Sequence, residues 1–311
     1  MKNYAAIDVG SNSILLLIAE ISGKTVSREI LGVRETPRIS AGLEKTGLID
    51  EHAVARLIKS LRGFSSLCEK YSVERLSCYG TSALRKAGNS REVVSRVKDA
   101  TGISIRVISG RKEAALTYLG AVTGMTGLKR SRVLIDVGGG SSEVVVADGL
   151  RILSAKSFKI GAVTLTERYR TNRRVNSSEL ELMAEKIRAE VSQLKIPSVG
   201  MPMSLVLSGG TATAIQTYRV GLKSYDPNRI HGASMRITKY RNLVNELAQM
   251  TLHTRREALA FEPKRAEVIT AGGLLTIALA EHYMAEFVRT SDRSLRHGQL
   301  LELLGRPIEF A

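Results

Sequence analysis

The sequence predicts an α/β protein made of two copies of one architecture, and three observations carry that reading. Ile7-Asp8-Val9-Gly10-Ser11, near the N-terminus, returns as Ile135-Asp136-Val137-Gly138-Gly139 in mid-chain. Each occurrence ends an apolar run and opens a turn, and two more strand-like runs follow before helical and strand patterns alternate. A stretch bearing Gly, Lys and Arg, 124–131, separates the two series. Domains over 1–124 and 125–311 follow, with the last helix able to pack back on the first; 311 residues suit two domains. A duplicated pair of α/β lobes also predicts a cleft between them, suited to ligand binding and hinge closure.

The first half opens with strands over 4–9, 14–21 and 25–31. The second of these is apolar from Ile14 to Ala19, as a strand buried on both faces should be. The segment 32–47 is polar and irregular, a loop able to face a ligand. Helical spacing over 50–71 puts Val54, Leu57, Ile58, Leu61 and Phe64 on one face. A strand over 75–79, a helix over 90–100, a strand over 103–108 and a helix over 110–122 complete this half. The second half predicts strands over 132–137, 144–147, 151–158, 204–207 and 287–290. Its helices are predicted over 163–169, 178–194, 239–250, 265–283 and 297–304. Ser178 and Glu181 read as a capping box for the helix over 178–194.

Composition narrows the function classes. Apolar residues make up 43 %, enough for a substantial core. Trp is absent and aromatics are 5 %, too few for a single-strand nucleic-acid binder that works by stacking, so no specific nucleic-acid partner is expected. Lys and Arg number 46 against 30 acids, a net charge of +16 that favours polyanions. The basic residues are spread from Arg28 and Arg34 to Arg255 and Arg256 and form no tail. Cys68 and Cys78 have no metal-type spacing, and no two of the five histidines stand four apart, which argues against zinc. The N-terminus lacks a signal-peptide layout, and the apolar runs 14–19 and 273–280 are too short to span a bilayer. A soluble, cytoplasmic protein with no membrane partner is expected.

The densest chemistry lies in 134–143, Leu-Ile-Asp-Val-Gly-Gly-Gly-Ser-Ser-Glu. Three glycines and two hydroxyls exceed what a hairpin turn requires. Glycines expose N–H groups and let an anion approach. Asp136 and Glu143 would repel a bare phosphate, so a cation between them and it is implied. This reads as a phosphate cradle with a metal handle, or more plainly as a tight hairpin with solvated acids. Ser208-Gly209-Gly210-Thr211 offers a helix N-terminus to an anion, or simply turns the chain.

Several motifs together, in order, resemble the exopolyphosphatase/guanosine pentaphosphate phosphohydrolase (Ppx/GppA) family in its short two-domain form. They are 7–13, Thr81-Ser82-Ala83-Leu84-Arg85-Lys86-Ala87-Gly88-Asn89, Ile108-Ser109-Gly110-Arg111-Lys112-Glu113-Ala114, 135–143, Ile160-Gly161-Ala162-Val163, Ser208-Gly209-Gly210-Thr211, Tyr225-Asp226-Pro227, His231-Gly232 and Leu295-Arg296-His297-Gly298. The likeness spans nearly the whole chain. It implies two duplicated actin-like domains of the ribonuclease H-like, ASKHA superfold, which often dimerise. It also implies a Mg²⁺-dependent phosphohydrolase acting on inorganic polyphosphate or on guanosine penta- or tetraphosphate.

By the same resemblance, Glu113 matches the catalytic glutamate; by position alone it reads as an N3 glutamate capping a helix that starts at Gly110. Asp136 and Glu143 match metal-associated acids. Asp8 would share the ion or position water, or else cap its own turn. Ser11, Asn12, Ser13, Gly138, Gly139, Gly140, Ser141, Ser142, Gly209, Gly210 and Thr211 would take phosphates, and Arg85 would clamp one. Arg265 would contact the distal part of the substrate. His231 reads as structural. Two positions depart from the family pattern: Leu15, where many members are basic, and Lys112, where an acid is common. Lys112 would lower the Glu113 pKa or attract substrate. These departures keep open a non-hydrolytic polyphosphate or alarmone sensor, and the superfold keeps open an ATP-dependent small-molecule kinase.

Overall fold

Alternation along the first strand decides the layering of the N-terminal unit. In the computed structural model, which describes residues 1–306 and 309–310, β1 (Lys2–Val9) sends Ala5, Ile7 and Val9 into one core and Tyr4 and Ala6 into another. β2 (Ile14–Ser22) and β3 (Thr25–Glu35) continue as an antiparallel meander. β4 (Val73–Gly80) and β5 (Arg106–Val107) add parallel to β1, giving the order β3-β2-β1-β4-β5. Ile7, Leu16 and Ile18 pack with Leu57, Leu61 and Phe64 of the helix Glu51–Lys70 and with Val93 and Val97 of the helix Ser90–Thr101. On the opposite face, Leu300 of the helix Leu295–Leu303 joins Tyr4, Ala6, Leu17 and Ala19. Cover on both sides is why β2 is apolar from Ile14 to Ala19.

The second unit repeats this plan. β6 (Ser131–Val137), β7 (Ser142–Asp148) and β8 (Arg151–Phe158) form its meander, and β9 (Met203–Ser208) runs parallel to β6. β10 (Ser234–Arg236), β11 (Phe287–Thr290) and β12 (Glu309–Phe310) complete the order β10-β11-β9-β6-β7-β8-β12. Without the edge strands β10 and β12, the series β8-β7-β6-β9-β11 matches the first sheet strand for strand, with the same parallel and antiparallel pairs. Val133, Ile135, Val137, Leu205 and Leu207 form its core with the helices Ala162–Tyr169, Ser177–Ser192, Ile237–Gln249 and Ile269–His282. The expected α/β class and its actin-like duplication are both present. One unit comprises Met1–Gly120 and the segment beginning at Leu295; the other comprises Ala121–Ser294 and β12.

Local chemistry moved several boundaries. The helix expected over 178–194 starts at Ser177, and its capping box is Asn176 with Glu179, not Ser178 with Glu181. The Asn176 side chain accepts from the Glu179 amide at 2.9 Å, and the Glu179 carboxylate accepts from the Asn176 amide at 3.2 Å. Asn caps as well as Ser does, and Val175, fully buried, fixes the entry one residue before. The helix expected over 265–283 divides into a 3-10 turn, Pro263–Glu267, and the helix Ile269–His282. The strand expected over 103–108 shrinks to β5.

Arg255, counted from sequence among the spread surface charges, is fully buried. Its guanidinium donates to the carbonyls of Leu247, Thr171, Ala266, Arg173, Ala248 and Met250 at 2.7–3.2 Å. Burial pushes its pKa down to about 10, so it stays charged at neutral pH.

Candidate functional site

Each meander's first hairpin ends in a turn whose carbonyls are already engaged. In the first unit the Gly10 amide donates to Ser13 O at 3.1 Å, closing the turn. The Ser11 and Asn12 carbonyls accept from the amides of Ser40 and Arg38, both at 3.0 Å, in the loop after β3. In the second unit Gly138 donates to Ser141 O at 2.9 Å, and the Gly138 and Gly139 carbonyls accept from Ala162 and Val163 at 2.9 and 2.8 Å. With those C=O groups occupied by protein donors, what each turn can present to a ligand is N–H, the polarity an anion needs.

The residue before each turn is an aspartate, but the two have different partners across the hairpin. Asp136 stands opposite Glu143 on β7, whereas Asp8 stands opposite Leu15 on β2. Leu15 thus occupies in the first unit the place that Glu143 occupies in the second. Like charges directly opposite are destabilising unless something neutralises them. Glu143 is steadied in part by the hydroxyls of Ser141 and Ser157, which donate to Oε1 at 3.0 and 2.7 Å.

Asp8 is the most perturbed acid of the first unit. Its Oδ1 is closed off from solvent and has no hydrogen bond among the described residues. Burial pushes its carboxyl up to about 7, the nearby Glu113 charge adds to this, and Arg296 opposes it. Glu113 lies in the first turn of the helix Gly110–Val122. The Ser109 hydroxyl accepts from the Lys112 amide at 3.2 Å, which makes Lys112 the third helical residue and Glu113 the fourth. The alternative of Glu113 as a third-position cap is therefore set aside. Its carboxylate instead receives Arg85 Nη1 at 3.0 Å, and the same nitrogen donates to Ile108 O at 2.9 Å. Burial raises the Glu113 pKa, while the Arg85 hydrogen bond and charge pull it back. Lys112 is not among the groups that shift the Glu113 pKa: it pairs with Glu302 at 2.7 Å and lies 5.2 Å over the Tyr79 ring, whose hydroxyl also bonds Glu302.

Two expected phosphate-binding hydroxyls are committed elsewhere. Ser142 is fully buried and donates to Ile160 O at 2.8 Å, and Ser141 donates to Glu143. The Thr211 side chain is buried against Gly272. The glycines beside Thr211 have a steric reason. Gly209 sits at φ +87°, and a Cβ there would come within 2.5 Å of Asp136 Oδ1. A Cβ on Gly210 would run into the guanidinium of Arg265, which also meets Glu262 at 3.1 Å. The second glycine turn therefore lies against both Asp136 and Arg265. His231 is held by Thr123 O at 2.8 Å and by the Ser291 hydroxyl at 3.4 Å, a structural position.

Arg296 was not singled out by sequence reasoning. It stands in the helix Leu295–Leu303, donates to Leu16 O at 3.0 Å, and brings its charge to Asp8 from the far end of the chain. Its only sequence signal is its place in Leu295-Arg296-His297-Gly298.

No group of three or more His, Cys, Asp or Glu side chains gathers for a metal among the described residues. Mg²⁺ asks for less: one or two carboxylates, with phosphate and water supplying the rest. Each unit has donors of that type: the orphaned Asp8 oxygen in the first, and the facing pair Asp136 and Glu143 in the second.

A stability prediction follows for Asp8. Its folded pKa lies above its ordinary value, so between about pH 4 and pH 7 the folded chain holds a proton that the unfolded chain has lost, and stability falls as pH rises through that window. Asp8→Asn should therefore melt several degrees above the parent at pH 8 in EDTA, a gain on the order of a few kcal/mol, and no higher at pH 4. Equal melting at pH 8 would mean that Asp8 is hydrated.

Two repeated α/β units, each with an acid-bearing hairpin turn, define an actin-like protein. The Ppx/GppA phosphatase family model matches residues 17–307, and the chain belongs to that family. It is 28 % identical over 310 residues to the bifunctional 3-dehydroquinate synthase/phosphatase of Fusobacterium nucleatum, covering 96 % of this chain and 46 % of that one. It is 28 % identical over 306 residues to the guanosine-5'-triphosphate,3'-diphosphate pyrophosphatase of Photobacterium profundum, covering 97 % and 59 %. The chain thus spans about half the length of these curated relatives. The crystal structure of the Aquifex aeolicus Ppx/GppA family member superposes with a TM-score of 0.85 at 28 % identity, covering 97 % of each chain. No described helix is long and apolar enough to cross a membrane.

Proposed function

We propose that this protein is a phosphoanhydride hydrolase releasing the terminal phosphate of inorganic polyphosphate or the 5′-γ-phosphate of pppGpp. The observation that carries the reading is the Asp8–Glu113–Arg85 group: a half-buried, raised carboxylate held by an arginine beside an acid with an unsatisfied oxygen. Family membership and the pyrophosphatase relative support it.

Glu113 orients a water and accepts its proton as the oxygen bonds to the terminal phosphorus. The bond from that phosphorus to the bridging oxygen breaks, and the shortened chain leaves with the bridging oxygen. Arg85, next to Glu113, neutralises charge on the non-bridging oxygens, and amides of the Ser11–Ser13 and Gly138–Gly140 turns bind phosphate. Arg265, whose guanidinium lies against Gly210, adds a cation beside the Gly209–Gly210 turn for the distal part of the substrate. Asp136 and Glu143 would hold Mg²⁺ in the second unit, where it would supply Lewis-acid charge neutralisation, and Asp8 offers the same donor type in the first. The net charge of +16 favours long polyanions. The same reading places the protein in the cytoplasm.

Phosphate release measured with polyphosphate and with pppGpp, each in Mg²⁺ and in EDTA, tests this. Release in Mg²⁺ that stops in EDTA is expected. Tight binding of either ligand with no release in Mg²⁺ would sink the hydrolase and favour a sensor.

A further inference from the structure

The loop after β3 holds a backbone conformation that its sequence does not favour. Arg38 sits at φ +50°, in the left-handed region where a residue with a Cβ is disfavoured by about 1–2 kcal/mol. Its neighbours hold it there. Pro37 is buried, with its carbonyl taken by Arg56 Nε at 2.8 Å, and Ile39 is fully buried. The Arg38 amide donates to Asn12 O, and the Ser40 amide donates to Ser11 O. Of the four non-glycine residues at positive φ among the described residues, Arg38, Ser72, Arg170 and Met284, Arg38 alone bonds one of the two hairpin turns.

Clasping the turn does not call for an arginine. In the second unit the same task falls to the amides of Ala162 and Val163, whose side chains are apolar. Glycine or asparagine would enter the left-handed region with less strain. The Arg38 side chain is exposed and makes no ion pair among the described residues. What is specific to this position is therefore a guanidinium, on a strained but anchored backbone, next to a turn that presents N–H groups. Strain held in place by its surroundings is typical of functional positions.

We propose that Arg38 contacts substrate, its guanidinium taking non-bridging oxygens of the phosphate chain bound at the Ser11–Ser13 turn. This inference rests on the phosphohydrolase reading, and its test separates the two. The probe is tripolyphosphate, with Kd measured by calorimetry in EDTA and KM measured by phosphate release in Mg²⁺. The variants are Arg38→Gly, which relieves the backbone strain, and Arg38→Lys, which keeps the charge. Arg38→Gly should melt no lower than the parent, yet Kd and KM should each rise about tenfold, the loss expected for one charge-assisted contact to phosphate. KM should move more than kcat, and Arg38→Lys should recover most of the loss.

Unchanged Kd and KM in Arg38→Gly would overturn the proposal. So would a lysine variant as weak as the glycine one, which would show that shape and not charge matters. A lower melting temperature for Arg38→Gly with unchanged Kd would assign Arg38 a purely structural role and overturn it too. Arg38-dependent binding without phosphate release by the parent would support Arg38 and sink the hydrolase. No binding in EDTA together with no phosphate release in Mg²⁺ by the parent would overturn both.

Discussion

Glu113→Gln is expected to bind polyphosphate as the parent does and to turn it over about a thousandfold more slowly, the scale of losing a positioned general base. The substitution keeps size and shape. Its amide oxygen can still accept from Arg85, which donates to Glu113 at 3.0 Å and is separately tied to Ile108 O. Phosphate-binding groups should therefore stay in place while the proton acceptor is lost. Burial strengthens the case, because a carboxyl raised above its ordinary pKa is a better proton acceptor than a hydrated one. Single-turnover phosphate release alongside a binding isotherm makes the measurement. Turnover within about threefold of the parent, in protein that binds normally, would remove Glu113 from the chemistry and leave Asp8 as the alternative acid.

Arg255→Met should cause the largest loss of stability. Removing the guanidinium leaves buried carbonyls of Leu247, Thr171, Ala266, Arg173, Ala248 and Met250 without the donor they share. Two of them keep a second donor, the Val175 amide on Ala248 O at 2.9 Å and the Met250 amide on Leu247 O at 3.3 Å. Each stranded group costs on the order of 1 kcal/mol or more, and relaxation or entering water recovers part of it, so a net cost of about 4 kcal/mol is expected. For a unit of this size that is a fall in Tm of roughly 10 °C. Arg255→Lys should rescue little, because an ammonium has three donors and no planar fork. Thermal melts of both variants decide it, and a fall of less than about 2 °C in either would mean that water replaces the guanidinium without loss.

Much of this architecture can be read in the chain itself, for identifiable reasons. Alternation in β1 and the apolar run Ile14–Ala19 of β2 report directly how many faces are covered, because a strand's period of two leaves no freedom. The return of Ile-Asp-Val-Gly announces the repeat, and the two sheets have the same strand order. Helix ends were less legible, since Asn176 and Ser178 are comparable caps and the choice fell to the anchored Val175. Among candidate site residues, Asp8, Arg85 and Glu113 do gather in one unit. The hydroxyls of Ser141 and Ser142 do not behave as a glycine-rich motif suggests, because Glu143 and Ile160 O claim them.

The sequence by itself determined the class, the duplication and the acids and glycines that mark the two turns, because these depend on local periodicity and on residue types that few other structures require. Tertiary structure alone decided that Arg255 is a buried brace, that Lys112 turns to Glu302, that Arg296 faces Asp8 and that Arg38 clasps a turn. Each of those outcomes rests on a partner distant in sequence. A charged side chain looks the same in a sequence whether water, a carboxylate or a ring of carbonyls receives it, and only the packed chain selects among them.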